Sequence, residues 1–402
     1  MANCVPSNAC STLPVCSFQA APSVSTNPTH DRRCANFPPS KWSNYFTGFA
    51  KRDLDLGNVS HEIEELRAEV RQQLNALASE PLKQLKMVDA IQLLGLGYHF
   101  SEEIEQTLES LSANIFNTGG YDLYHTSLCF RLLRQHGYNV SSAIFNRFIN
   151  TNGGLIEDLL SDVQGMLSFY EAAQLRLHKD AALDEVVAKC ATHLESIAPN
   201  LNPSLNRQVT AALKQSLHKD IPRLQAWKYF STYQEDESHD KTLLKLAKLD
   251  FNLLQKYHQQ ELSHISKWWK DLDLPSKCHY ARDRLVEAYI WALTLYYEPQ
   301  YSLGRMIFTK VIALAAVLDD TYDAYGTIDE LELLTEAISR GDTSSSDKMP
   351  TYARALYQTL LGFYDEIEVH LAREGRSYQM PYLKEAVQIT CVINPLYYNL
   401  SS

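Results

Sequence analysis

Val311-Ile312-Ala313-Leu314-Ala315-Ala316-Val317-Leu318 runs directly into Asp319-Asp320-Thr321-Tyr322-Asp323. An unbroken apolar run of this length reads as a buried helix segment, and it turns acidic within one turn. On a helix, Asp319 and Asp323 share a stripe one turn apart and Asp320 flanks them. Three carboxylates crowded at a buried helix end repel one another and are costly to desolvate. A divalent cation removes both costs. With no His or Cys close by in sequence, the donor set is all oxygen and suits a hard ion, Mg²⁺ first and Mn²⁺ as the alternative. The competing reading of a bare acidic cluster is a helix that simply ends in solvent.

Outward from that segment, nearly everything after residue 60 reads as helix. Apolar residues recur at three- and four-residue steps, as in Val163, Met166, Leu167 and Tyr170. A longer example is Leu244, Ala247, Phe251, Leu254, Leu262, Ile265 and Trp269. Alternating strand-like runs are absent, and no 34-residue period marks a solenoid. Turn signals fall at Thr118-Gly119-Gly120, Gly153-Gly154, Pro199 to Pro203 and Gly341 to Pro350. The polar stretch Tyr233 to Lys241 is the best boundary. It divides 31–235 from 236–402, after a leader, 1–30, that is expected to be disordered.

The 402 residues imply two domains. A hydrophobic content of 45% with 21% charge is that of an ordinary globular chain. A net charge of -11 argues against a nucleic-acid surface, although a bound cation would still permit an anionic ligand. The unbroken apolar stretches are far shorter than the roughly 18 residues of a membrane span, so none is expected. Eight cysteines without a CxxC pair or zinc spacing read as reduced thiols. The first 30 residues are Ser-, Thr- and Pro-rich and hold no Asp, Glu, Lys or Arg, which is half of a transit-peptide signature. A cytosolic location is therefore expected over a plastid. No oligomeric state follows from the sequence.

Support for a metal role lies upstream. Arg282-Asp283-Arg284 precedes an aromatic helical run, and the Asp cluster begins 35 residues after Arg284. Two permanently charged guanidiniums in a loop or first turn suit the oxygens of an anion. With the carboxylates they suggest a diphosphate held between Mg²⁺ and Arg. Trp268 and Trp269 read as packing residues. Trp291 admits either packing or an aromatic face turned to a carbocation.

Several further motifs occur in a fixed order: Arg32-Arg33, eight residues and Trp42; Phe130 to Tyr138 (FRLLRQHGY); Asp162 to Leu167 (DVQGML); Trp268 to Leu272 (WWKDL); Arg282-Asp283-Arg284; Glu298-Pro299-Gln300-Tyr301; and Asp319 to Thr327 (DDTYDAYGT). Together they make the chain resemble the plant class I terpene synthases, most closely the sesquiterpene type, over roughly residues 31 to 388. The resemblance implies an all-α fold. It pairs a non-catalytic, α/α-barrel-like N-terminal domain with a class I helical bundle that encloses the pocket. It implies Asp319, Asp320 and Asp323 as the first metal motif, Asp319 and Asp323 being direct ligands. Arg282 and Arg284 would bind the diphosphate, Trp291 would line the hydrocarbon cavity, and Arg32, Arg33 and Trp42 would belong to a lid. The substrate implied is farnesyl diphosphate, with geranyl diphosphate as runner-up. A DxDD motif is absent from the N-terminal half, so ionisation rather than protonation starts the reaction.

The sequence also departs from the family. No (N/D)Dxx(S/T)xxxE motif occurs in residues 324 to 402, and the chain ends 79 residues after Asp323. After Gln388 the sequence no longer resembles the family helix, and Pro395 breaks the pattern. The expectation is a C-terminally truncated bundle that binds Mg²⁺ weakly and is inactive or severely impaired. A non-catalytic isoprenoid-diphosphate binder is the reading from a different class. A chain-elongating prenyltransferase would need a second aspartate cluster, which is missing.

Overall fold

A computed structural model describes residues 34–42, 44–49, 56–114, 120–180, 182–341 and 346–388. The leader, Arg32, Arg33, Thr118-Gly119, Ser344-Ser345 and everything after Gln388 lie outside the described residues. Within them the chain is all-α, and the sole β feature is an isolated antiparallel bridge between Ile149 and Leu155.

The first eight helices are α1 (Leu56–Ala76), α2 (Pro81–Leu93), α3 (Ser101–Asn114), α4 (Leu123–Gln135), α5 (Val163–Ala173), α6 (Ala182–Ile197), α7 (Pro203–Lys214) and α8 (Pro222–Glu235). Short polar side chains open several of them. Asp122 accepts from the His125 N–H at 2.8 Å, and Asn202 accepts from Leu205 at 2.9 Å. Asp162 caps α5 through the Gly165 N–H at 2.8 Å. A Cβ on Gly165 would sit 2.0 Å from the Asp162 carboxylate, so the Asp-x-x-Gly spacing is what lets the cap close.

The arginines of the 130–138 motif are also structural. Arg134, buried over the Phe130 ring, binds Asp180 at 2.6 Å and the Val140 carbonyl at 2.7 Å. Arg131 binds Asp89 at 2.7 Å. These pairs stitch α4 to α2 and to the turn before α6.

The remaining helices are α9 (Lys241–Asp271), α10 (Leu274–Lys277), α11 (Leu285–Leu295), α12 (Ser302–Ala324), α13 (Ile328–Arg340) and α14 (Thr351–Arg373), followed by a helical stretch at 380–388. α9 belongs to both halves. Leu243, Leu246 and Ala247 complete the core built on α1 to α6, while Leu262, Ile265 and Trp269 begin the core shared with α11 to α14. The polar stretch at 233–241 is the turn between α8 and α9, and the core changes hands some four turns later, inside α9. A 31-residue helix is about 46 Å long, enough to serve two cores in succession.

α11 and α12 form an antiparallel hairpin. The segment 299–324 holds an 18-residue window with a mean hydropathy of 1.5 and by length and composition matches a membrane span, which the short unbroken runs in the sequence did not suggest. Its Ala313, Leu314, Val317 and Leu318 lie inside the second core, and its Arg305 is fully buried against Glu261. Those contacts are those of a core helix.

Candidate functional site

The N-terminal end of α11 meets the C-terminal end of α12, and there the structure brings Arg282 and the Asp cluster together. α12 has two faces. Thr309, Ala313, Val317 and Asp320 are buried, whereas Phe308, Ile312, Ala316, Asp319 and Asp323 follow a less covered stripe. Asp319 and Asp320 are neighbours in sequence but about 100° apart on the helix, so they have different surroundings.

Asp320 is 1% exposed and holds Arg282. It accepts the Arg282 backbone N–H at 2.7 Å and Nε at 2.9 Å, and it pairs with Nη2 at 2.5 Å. Arg282 Nη2 also lies 3.6 Å from Asp319. Below Asp320, Thr321 donates to or accepts from Tyr280 at 2.7 Å, and Tyr280 stacks on Tyr325 at 3.8 Å. A capping box at Thr327 and Glu330 starts the next helix, with the Tyr352 hydroxyl donating to Glu330 at 2.8 Å. This aromatic base fixes where α12 ends.

Asp323 is solvent-facing. Partial burial raises its carboxyl above the usual range, and the negative charges of Asp319 and Asp320 add to the shift while Arg282 opposes it. Arg284 is exposed and pairs with Glu287 at 3.4 Å. Trp291 is 58% exposed, two turns along the same stripe of α11 as Arg284, with Ile290 and Leu295 exposed beside it. A concavity of about 470 Å³ is also present. It lies elsewhere, between α1 and α9, lined by Leu249, Leu253 and Gln260.

Mg²⁺ fits this donor set. Asp319 and Asp323 are hard oxygens one turn apart, and their mutual repulsion is what a divalent charge relieves. Among the described residues, no three His, Cys, Asp or Glu side chains are gathered as a preformed cage.

One residue that the sequence did not mark joins the site, and a buried pair that it did not mark anchors the far end of the hairpin. The Phe37 ring lies 4.8 Å from the Arg282 guanidinium, so the segment just before Trp42 reaches the site. Arg305 and Glu261, paired at 2.7 Å with the Tyr289 hydroxyl donating to the same carboxylate at 2.7 Å, tie α9, α11 and α12 together. An arginine inside an otherwise apolar helix was the available signal.

The match to known families agrees with this geometry. Residues 41–213 match the terpene synthase N-terminal domain, and residues 270–394 match the terpene synthase family metal binding domain. The chain belongs to the terpene synthase family. It is 49% identical over 369 residues to a (-)-germacrene D synthase of Vitis vinifera, covering 92% of this chain and 66% of that protein. It is 48% identical to sesquiterpene synthase 2 of Toona sinensis, covering 92% and 67%. Isoprene synthase from grey poplar leaves (Populus x canescens), solved with three Mg²⁺ ions and dimethylallyl-S-thiolodiphosphate, superposes with a TM-score of 0.80 at 35% identity. That superposition covers 86% of this chain and 67% of the poplar one. The chain thus spans about two thirds of the length of these terpene synthases.

Proposed function

We propose that this terpene synthase chain binds a prenyl diphosphate, farnesyl diphosphate first, and converts it to a sesquiterpene hydrocarbon with release of diphosphate. The observation that carries the reading is the Arg282–Asp320 lock standing beside Asp319 and Asp323. Bound Mg²⁺ supplies positive charge against the departing diphosphate.

The chain's own residues divide the remaining work. Asp319 and Asp323 would hold the ion through their carboxylate oxygens at the open stripe of α12. Asp320 stays with Arg282, so the guanidinium is already oriented when an anion arrives. Arg284 adds a second permanent charge at the same helix start. The C1–O bond breaks with its electron pair leaving on the diphosphate. Ring closure on the allylic cation and loss of a proton then give a neutral hydrocarbon. Phe308, Ile312 and Ala316 continue the stripe away from the carboxylates and offer an apolar lane to the prenyl tail. Trp291 offers its ring face to positive charge. A cytosolic setting is part of the same reading, supported by the buried free thiols Cys129, Cys190 and Cys278.

Incubation of the purified chain with farnesyl diphosphate and Mg²⁺, with gas-chromatographic detection of hydrocarbon, tests the reading. Metal-dependent product above an EDTA control is expected. Geranyl diphosphate in a parallel incubation separates the two chain lengths. Binding of a non-hydrolysable analogue without turnover would leave a diphosphate binder, and absence of both would sink the assignment.

A further inference from the structure

The loop joining α11 to α12 lies at the opposite end of the hairpin from Arg282 and Asp319, and it is gripped from two domains. On the C-terminal side, the buried Arg305 donates to the carbonyls of Tyr296 at 3.3 Å and Glu298 at 2.5 Å while pairing with Glu261 of α9. His258 of α9 donates from Nε2 to the Tyr297 carbonyl at 2.9 Å. The Tyr297 side chain turns the other way, into the N-terminal domain. Its hydroxyl donates to the Gly95 carbonyl at 3.1 Å. Its ring lies edge-on to Tyr98 at 6.3 Å and beneath the Arg223 guanidinium at 5.7 Å.

The acceptor is itself rigidly presented. Gly95 ends α2 in the left-handed region, at φ +79°, with the Leu96 N–H returning to the Ile91 carbonyl at 2.9 Å. Tyr98 is fixed in turn, since its hydroxyl donates to Asp250 of α9 at 2.5 Å. The seat for Tyr297 is therefore built from α2, α8 and α9 and not from the hairpin it receives. From that seat α11 runs back 11 residues, about 16 Å, to the start of the site. A helix is stiff over that distance, so a shift at the loop moves Arg282 and the end of α12 with it.

We propose that Tyr297 is a positioning residue that couples the N-terminal domain to the alignment of Arg282 with Asp319 and Asp323 at the other end of the α11–α12 hairpin. It rests on the reading of that end as the diphosphate site, and its test is read both with and without ligand.

Amide exchange on the full chain, parent against Tyr297→Phe, is the direct measurement, because Phe keeps the ring and removes only the hydroxyl. Exchange at 282–289 and 317–323 is expected to rise about threefold while α4 and α5 are unchanged. Tyr297→Leu, which empties the seat, should enlarge the effect at the same segments. Faster exchange confined to residues 294–300 would overturn the coupling. So would a general loss of protection that reached α4 and α5, since that marks a merely structural role. In calorimetry with Mg²⁺ and inorganic pyrophosphate, Tyr297→Phe is expected to weaken binding about fivefold. If the parent binds no pyrophosphate, the site reading fails, and the exchange comparison still decides the coupling.

Discussion

The backbone N–H and the guanidinium of Arg282 both close on Asp320, at 2.7 and 2.9 Å, and Asp320 is almost fully buried. Asp320 is thus the structural member of the acidic cluster, and Asp319 and Asp323 are the members turned outward. Asp320→Asn is expected to lower stability by about 1–3 kcal/mol, below the full cost of orphaning a buried charge because Arg282 keeps solvent contact. Asp323→Asn is expected to leave the melting temperature unchanged or slightly higher, by relieving repulsion from Asp319, and to weaken Mg²⁺-pyrophosphate binding at least about tenfold. Thermal melts with calorimetry on both variants check this. The opposite pattern would exchange the two roles.

The Arg305–Glu261 pair should behave as a buried charge pair. Arg305 has no exposed side-chain surface, and Glu261 also accepts from Tyr289 at 2.7 Å. Removing either charge alone, as in Arg305→Met or Glu261→Leu, should cost about 3–5 kcal/mol in urea denaturation. The double variant should cost clearly less than the two singles combined, because no charge is then left buried without a partner. Strict additivity would show that the pair is not coupled.

Two buried groups give stability opposite pH slopes. Burial pushes the Glu171 carboxyl up to about 7, although it accepts the Leu217 N–H at 2.8 Å. The native chain then takes up this proton before the unfolded chain does, so stability rises as pH falls from 7 toward 4.5. Burial lowers His258 to about 4 from an ordinary 6.5, so stability is lost as pH falls through that interval. Glu171→Gln is therefore expected to raise stability at pH 8 by up to about 3 kcal/mol and to leave a steady decline below pH 6.5. Melts between pH 5 and 8 read both slopes. An unchanged profile in the variant would place the titration elsewhere.

Two glycines separate backbone strain from crowding. Gly95 and Gly137 have φ of +79° and +83°, but a Cβ at Gly95 would lie 3.2 Å from Ala226 Cβ and one at Gly137 would meet nothing within 4 Å. Gly137→Ala should cost about 1 kcal/mol from the left-handed backbone alone. Gly95→Ala should cost more, about 2 kcal/mol, because the α2–α8 contact must also give. Equal losses in urea denaturation would mean that Ala226 moves aside freely.

Much of this was legible in advance. The 311–323 run placed a helix that ends in carboxylates, and α12 is that helix. The Arg-x-Arg spacing places the pair at a loop or first turn, and Arg284 is the residue before α11 begins. The Arg305–Glu261 pair was not legible, because 44 positions separate its members and only the packing of α12 on α9 joins them. The same holds for Phe37 at Arg282 and for Tyr297 at Gly95, since a ring that packs across a domain boundary has no local period.

By itself the sequence determined the helices and which positions on each are acidic, basic or apolar, because those follow from a 3.6-residue repeat and local capping. It also determined that Asp319 and Asp323 share a stripe. Only the tertiary structure decided that Asp320 serves Arg282, that α9 is divided between two cores, and that the hairpin carrying the site is seated at its far end in the other domain. These depend on which buried face meets which. A buried charge takes the partner that packing delivers to it, and no spacing along the chain encodes that choice.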